Sequence, residues 1–424
     1  MPTVRLDEGL YRTDADNGLT ILSEMVPTVR SVAIGIWVKT ASAHEAPVKM
    51  GVSHLLEHMV FKGTERRSAR EIALALETRG GSLDAFTSRD HTAFQARVLD
   101  DDLPRALDVL TDLVRCPTLR PSDLELERRV VLEEISVVED TPDDLVFDLH
   151  GEVLWPDHPY GFSILGTRET VSALEDNDLR DLHTRAYHPG QVVIAAAGNV
   201  DHELLLRLLT RCGWMTFEPG PPPADVPEPD TAFRGERRFD RDLAQTHLVI
   251  GTDTFAHGDP RRHALLLLNT VLGAGMSSRL FQRVREELGL AYAVYAFQSF
   301  YQRAGVSGVY VGTHPSTATQ ARDAIMEELS RLAREGLRGS ELADARQQLK
   351  GQITLSLESP SSRMYRAAGV ALHERPYRTL DQLLTDIDAV TEEEIATVAA
   401  EFYDPDRQAV VWLGPSDATH TQAG

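Results

Sequence analysis

The chain has 424 residues, 42% hydrophobic and 25% charged, the balance of a soluble globular protein with room for two or more domains. No apolar run reaches the roughly 20 residues of a membrane-crossing helix, and a net charge of −22 argues against nucleic acid or an anionic membrane as a partner. Two cysteines, Cys116 and Cys212, are too few for a disulfide framework and stand in no C-x-x-C pair.

The first residues lack the basic and apolar regions of a secretory signal, and Asp7, Glu8, Asp14 and Asp16 speak against a transit peptide, so a cytoplasmic location is expected. Ser31 to Val38 alternates apolar and other residues with period two and reads as a strand. A helix follows around His54 to His58, then strand candidates Gly81 to Thr87 and Thr92 to Val98, then amphipathic helices Leu103 to Val114 and Glu125 to Val138. The stretch from Glu218 to Pro229 is so rich in proline that it cannot join a regular ladder, and it reads as a semi-rigid linker over 218–232.

After it the pattern repeats. Gln245 to Thr252 is a strand, Gly289 to Tyr295 and Gly305 to Val311 are two more, and Thr317 to Gly336 and Ser340 to Leu357 are long helices. Strands then helices, twice, predict two α+β domains from an internal duplication, over 1–217 and 233–424.

The chemistry concentrates in His54-Leu55-Leu56-Glu57-His58. Residues four apart differ by about 40° around a helix, so both imidazoles can bind one ion, and Glu57 on the same broad face can act as a general base without being a ligand. The corresponding stretch of the second half, Gly275 to Phe281, has no such motif. A catalytic zinc takes three protein ligands and keeps a position open for water. The helix Leu126 to Ile135 offers the third: Glu127 and Glu134, seven apart, share a face, and one can bind the metal while the other orients a ligand.

These residues resemble the pitrilysin family, the inverzincins, which includes insulin-degrading enzyme and the mitochondrial processing peptidase. The order is H-x-x-E-H followed by a glutamate 76 residues after the second histidine. His54-Leu-Leu-Glu-His-Met-Val-Phe-Lys-Gly-Thr64, Asp84-Ala-Phe-Thr-Ser-Arg-Asp90 and Glu127 to Glu134 are similar to the two-domain branch, and the likeness runs through Gly275 to Phe281 and Gly289 to Tyr295. The resemblance implies Glu134 as ligand with His54 and His58, Glu127 as the supporting acid, and Zn2+ as the cofactor. It implies that Arg285 and Tyr292 donate hydrogen bonds to substrate, and that Asp84, Ala85, Phe86 and Thr87 form an edge strand on which an extended peptide adds. Position 84 departs from the family, which more often has Asn there.

The implied fold is a clamshell of two homologous domains, each a mostly antiparallel sheet with helices packed on one face. The implied function is a zinc-dependent endopeptidase acting on short or unfolded peptides in an enclosed chamber, as a homodimer, with Glu57 activating the attacking water. Two other roles exist among relatives: a processing peptidase subunit that depends on a partner chain, and a non-catalytic structural subunit.

Overall fold

The computed structural model describes residues 2–337 and 339–416, in two compact units. The first unit takes the chain up to Ser136, Phe162–Val226 and Leu355–Thr379; the second takes Val137–Gly161, Pro227–Thr354 and the chain from Leu380 on.

In the first unit, β1 (Thr3–Asp7), β2 (Leu10–Asp14), β3 (Thr20–Met25), β4 (Ser31–Val38), β5 (Ser82–Thr87), β6 (Thr92–Leu99) and β7 (Val192–Gly198) form one sheet, ordered β1-β2-β3-β7-β4-β6-β5. All neighbours are antiparallel except β3 and β7. The alternation in β4 sorts its residues between two faces. Val32, Ile34, Ile36 and Val38 enter the main core, beside Leu55 and Leu56 of the helix Val52–Val60 and Leu107 and Leu110 of the helix Leu103–Arg115.

Ala33 and Trp37 face the other way, yet they too are buried. The helix Pro360–Leu372 covers that second face, setting Met364, Ala367, Ala368 and Ala371 against Trp37, Val193, Ala195 and Ala197. Small residues on both sides let helix and sheet approach closely. One helix from late in the sequence thereby converts a half-solvated sheet into a fully covered one.

The second unit repeats the plan. Its strands are β8 (Gly235–Asp240), β9 (Thr246–Thr254), β10 (Ala291–Phe300), β11 (Gly305–Thr313) and β12 (Ala409–Gly414), ordered β10-β11-β9-β12-β8 with β8 and β12 the parallel pair. That order matches β5-β6-β4-β7-β3 of the first sheet strand for strand, as a duplication predicts. Helices Arg262–Gly273, Ala318–Glu335 and Glu392–Phe402 pack on one face, and the helix Pro142–Leu154 covers the other through Val146 against Val249, Val411 and Leu413. Phe147 fits between Phe297 and Tyr310, with ring centroids 5.1 and 5.6 Å away.

The chain is thus two α+β units in tandem, with mostly antiparallel sheets. Residues 218–234 contain no helix or strand. Their first part is tied down by Gly220 N–H donating to His188 Nδ1 (2.9 Å) and the Gln191 amide donating to the Pro221 carbonyl (2.9 Å).

Candidate metal centre

The helix Val52–Val60 starts abruptly. Gly51, its N-cap, has φ +88°, and a Cβ there would lie 2.5 Å from the Leu165 carbonyl oxygen, so only glycine fits. Gly51 has no side chain to cap the helix, and the buried Glu45, six residues before it, does so: its two carboxylate oxygens accept from Gly51 N–H at 2.8 Å and Ser53 N–H at 2.7 Å. The first turn, and with it His54, is fixed in place.

One turn apart, the His54 and His58 rings have centroids separated by 4.7 Å. Glu134, from the helix Pro121–Glu139, completes the group. Its Oε2 lies 3.7 Å from His54 Nε2 and 3.7 Å from His58 Nε2. Donors bonded to zinc at about 2.05 Å in a tetrahedral arrangement lie roughly 3.4 Å apart. Two imidazoles and one carboxylate at this spacing therefore fit a divalent zinc ion with a position left for solvent or substrate. Burial, followed by the nearby His58, pushes His54 down to about 4, so its imidazole is neutral at pH 7, the form a metal requires.

Glu127 shares a face with Glu134 but points at the other side of His58. Its Oε2 accepts from His58 Nδ1–H at 3.2 Å, which leaves the Nε2 lone pair directed at the centre. Lys62 Nζ sits 2.6 Å from the second oxygen of Glu127 and compensates that buried carboxylate. His54 Nδ1 is buried and, among the described residues, has no hydrogen-bond partner.

Glu57 does not join the three donors. Thr87 at the end of β5 donates to its Oε2 at 2.7 Å. Burial raises the proton affinity of Glu57; the Thr87 bond and His58 oppose the rise, and Glu134 adds to it. A carboxylate held beside a metal group with raised basicity is equipped to take a proton from water.

β5 is the last strand of its sheet. Leu83 and Ala85 lean on the main core and Thr87 reaches Glu57, while Asp84 and Phe86 lie on the opposite face. Among the described residues no strand pairs with its outer edge. Arg285 and Tyr292 lie in the second unit and touch each other. Arg285, on a π-helical turn Phe281–Glu287, stacks over the rings of Phe281 and Tyr292 (4.7 and 4.5 Å) and donates to the Tyr292 carbonyl at 3.1 Å. Tyr292 is 80% exposed.

The structure thus gathers His54, His58, Glu134, Glu57, Glu127 and Thr87 in the first unit. Sequence reasoning missed Lys62 and Glu45. Lys62 carried a usable signal, one helical turn beyond His58 in a chain with only four lysines. Other histidines serve the fold: His158, His183 and His188 donate to the carbonyls of Pro227, Val114 and Arg185.

Residues 20–168 match the family described as Insulinase (Peptidase family M16), and residues 173–349 match Peptidase M16 inactive domain. A Bacillus subtilis protein named Uncharacterized zinc protease YmxG is 39% identical over 96% of this chain and 98% of its own length. The chain belongs to peptidase family M16. A second relative, from Streptomyces coelicolor and also named a zinc protease, is 38% identical over 92% of this chain and 86% of its own. The fold agrees with a solved Pseudomonas fluorescens structure described as a peptidase M16 inactive domain, at TM-score 0.89 and 21% identity over 96% of this chain and 98% of that one. The family match labelled inactive falls on the half without the histidine motif.

Proposed function

We propose that this chain is a zinc-dependent endopeptidase that hydrolyses short or unfolded peptides. The observation that carries the reading is the convergence of His54 Nε2 and His58 Nε2 on one oxygen of Glu134, with Glu57 alongside but outside the donor group. Zinc held there supplies Lewis acidity to the scissile carbonyl and to water. Glu57 accepts the proton of the attacking water and passes it to the leaving amine. Thr87 keeps Glu57 in place for both transfers, and Glu127 holds His58 in the tautomer that presents Nε2. The open edge of β5, through Asp84, Ala85, Phe86 and Thr87, takes the peptide as an added strand, so main-chain bonds bind it with little demand on sequence. The half-buried Arg285 and the exposed Tyr292 bind substrate by hydrogen bonds. The reading also takes the working form to be a cytoplasmic homodimer; among the described residues no helix is long and apolar enough to cross a membrane.

The test separates metal from base. Glu57→Gln should keep one zinc per chain by elemental analysis while turnover falls by at least about a thousandfold, the scale of a lost general base with its positioning. His58→Ala should lose both zinc and turnover. A Glu57→Gln protein with full activity would remove Glu57 from the mechanism.

A further inference from the structure

The two faces of β5 differ in chemistry. In the antiparallel register Asp84 stands opposite Gln95 and Phe86 opposite Ala93. Gln95 accepts a hydrogen bond from the Tyr365 hydroxyl, on the helix Pro360–Leu372, so Asp84, Gln95 and Tyr365 lie on one face of the sheet. The Tyr365 ring is 6.2 Å from Phe86 and edge-on to Trp37 at 5.9 Å, which fixes it as a rigid platform, and it remains 38% exposed. Asp84 is exposed, and among the described residues no ion pair or hydrogen bond engages its carboxylate. Nearly every other acid around the first sheet is paired: Asp7 with Tyr377, Glu24 with Arg363, Asp100 with Arg30 and Asp102 with Arg79. A free carboxylate beside a half-exposed phenol ring, on the open edge of a strand, is a receptor for a cation with an aliphatic stem.

Position along the strand gives the register. Asp84 precedes Thr87, the residue bonded to Glu57, by three residues, roughly 10 Å of strand. A peptide residue paired opposite Thr87 turns its side chain to the metal face. One paired opposite Asp84, three residues along, turns its side chain to the Asp84 face, because three is odd and side chains alternate. We propose that Asp84 and Tyr365 form a subsite for a basic side chain, arginine or lysine, about three residues from the scissile bond. This rests on the reading of β5 as the substrate strand and names the side chain it selects.

The experiment uses pairs of quenched peptides, identical but for Arg or Ala at successive positions, with cut sites mapped by mass spectrometry. The wild-type chain should cleave the Arg peptide of the favoured register roughly five- to tenfold faster in kcat/KM, the scale of one half-exposed ion pair with a cation–π contact. Asp84→Asn should lower that ratio towards one, and Asp84→Lys should invert it against a Glu peptide. Tyr365→Leu should lower it in part. Each ratio is taken within one protein, so a loss of folded material cancels. Fluorescence anisotropy of the labelled Arg and Ala peptides on the Glu57→Gln chain reads the same preference without turnover, so a chain that binds but does not cut still decides the matter. Equal binding of the two peptides, or a ratio unmoved by Asp84→Asn, would overturn the proposal.

Discussion

At the scale of single residues, the candidate metal group is held by side chains with partners of their own. Glu127 bonds His58 at one oxygen and Lys62 at the other, so its removal frees the His58 ring to turn. We expect Glu127→Gln to weaken zinc binding by roughly 10- to 100-fold, measured by competition with a chromophoric chelator, with no change in secondary structure. Unchanged affinity would make Glu127 a structural acid. The motif in His54 to His58 was legible because helical spacing puts both imidazoles on one face. The choice between Glu127 and Glu134 was not legible from spacing, since residues seven apart share a face whichever one binds. In the structure Glu134 lies 3.7 Å from both Nε2 atoms, while Glu127 meets His58 Nδ1.

Single elements explain how the motif helix is held. Glu45 is buried, and burial pushes it from its ordinary 4.5 up to about 7, against the pull of the Ser53 and Gly51 amides and of Arg89. With its folded value raised, native Glu45 keeps a proton that the unfolded chain releases. Its contribution to stability is therefore full below about pH 4.5 and is lost as pH rises through about 7. Denaturant melts of wild type and Glu45→Gln should diverge across that window by about 3 kcal/mol, wild type losing stability relative to the variant as pH rises. Parallel curves would show that Glu45 titrates as it does in the unfolded chain. Gly51→Ala should cost about 2–4 kcal/mol, because it adds a clash at the Leu165 carbonyl to a left-handed backbone. Neither residue announced itself in the sequence, since Glu45 caps the helix from within a separate turn.

Strands show the same contrast. β4, β5 and β6 were legible because their side chains alternate. β7, with Val192, Val193 and Ile194 running into three alanines, is buried on both faces and offers no period of two.

For the whole molecule, the sequence pattern of two similar halves is real in the strand orders, but each sheet takes one helix from the other half of the chain. Pro360–Leu372 covers the first sheet and Pro142–Leu154 the second. No local pattern could reveal this, because an amphipathic helix does not record which sheet it will meet. Residues 1–217 expressed alone would leave Trp37, Val193 and Ala195 bare on one face, an apolar patch that favours association. We expect that fragment to aggregate where the full chain stays soluble, as read by size-exclusion chromatography. A monomeric, folded fragment would show that the first sheet does not need the late helix.

The most direct measurement is cleavage of a quenched fluorescent peptide mixture by the purified chain alone, before chelator, after chelator, and after zinc is restored. The account predicts cleavage that the chelator abolishes and zinc recovers. A folded chain with zinc bound and no cleavage would contradict it, and would turn His54, His58 and Glu134 into the relic of a site in a subunit that works through a partner.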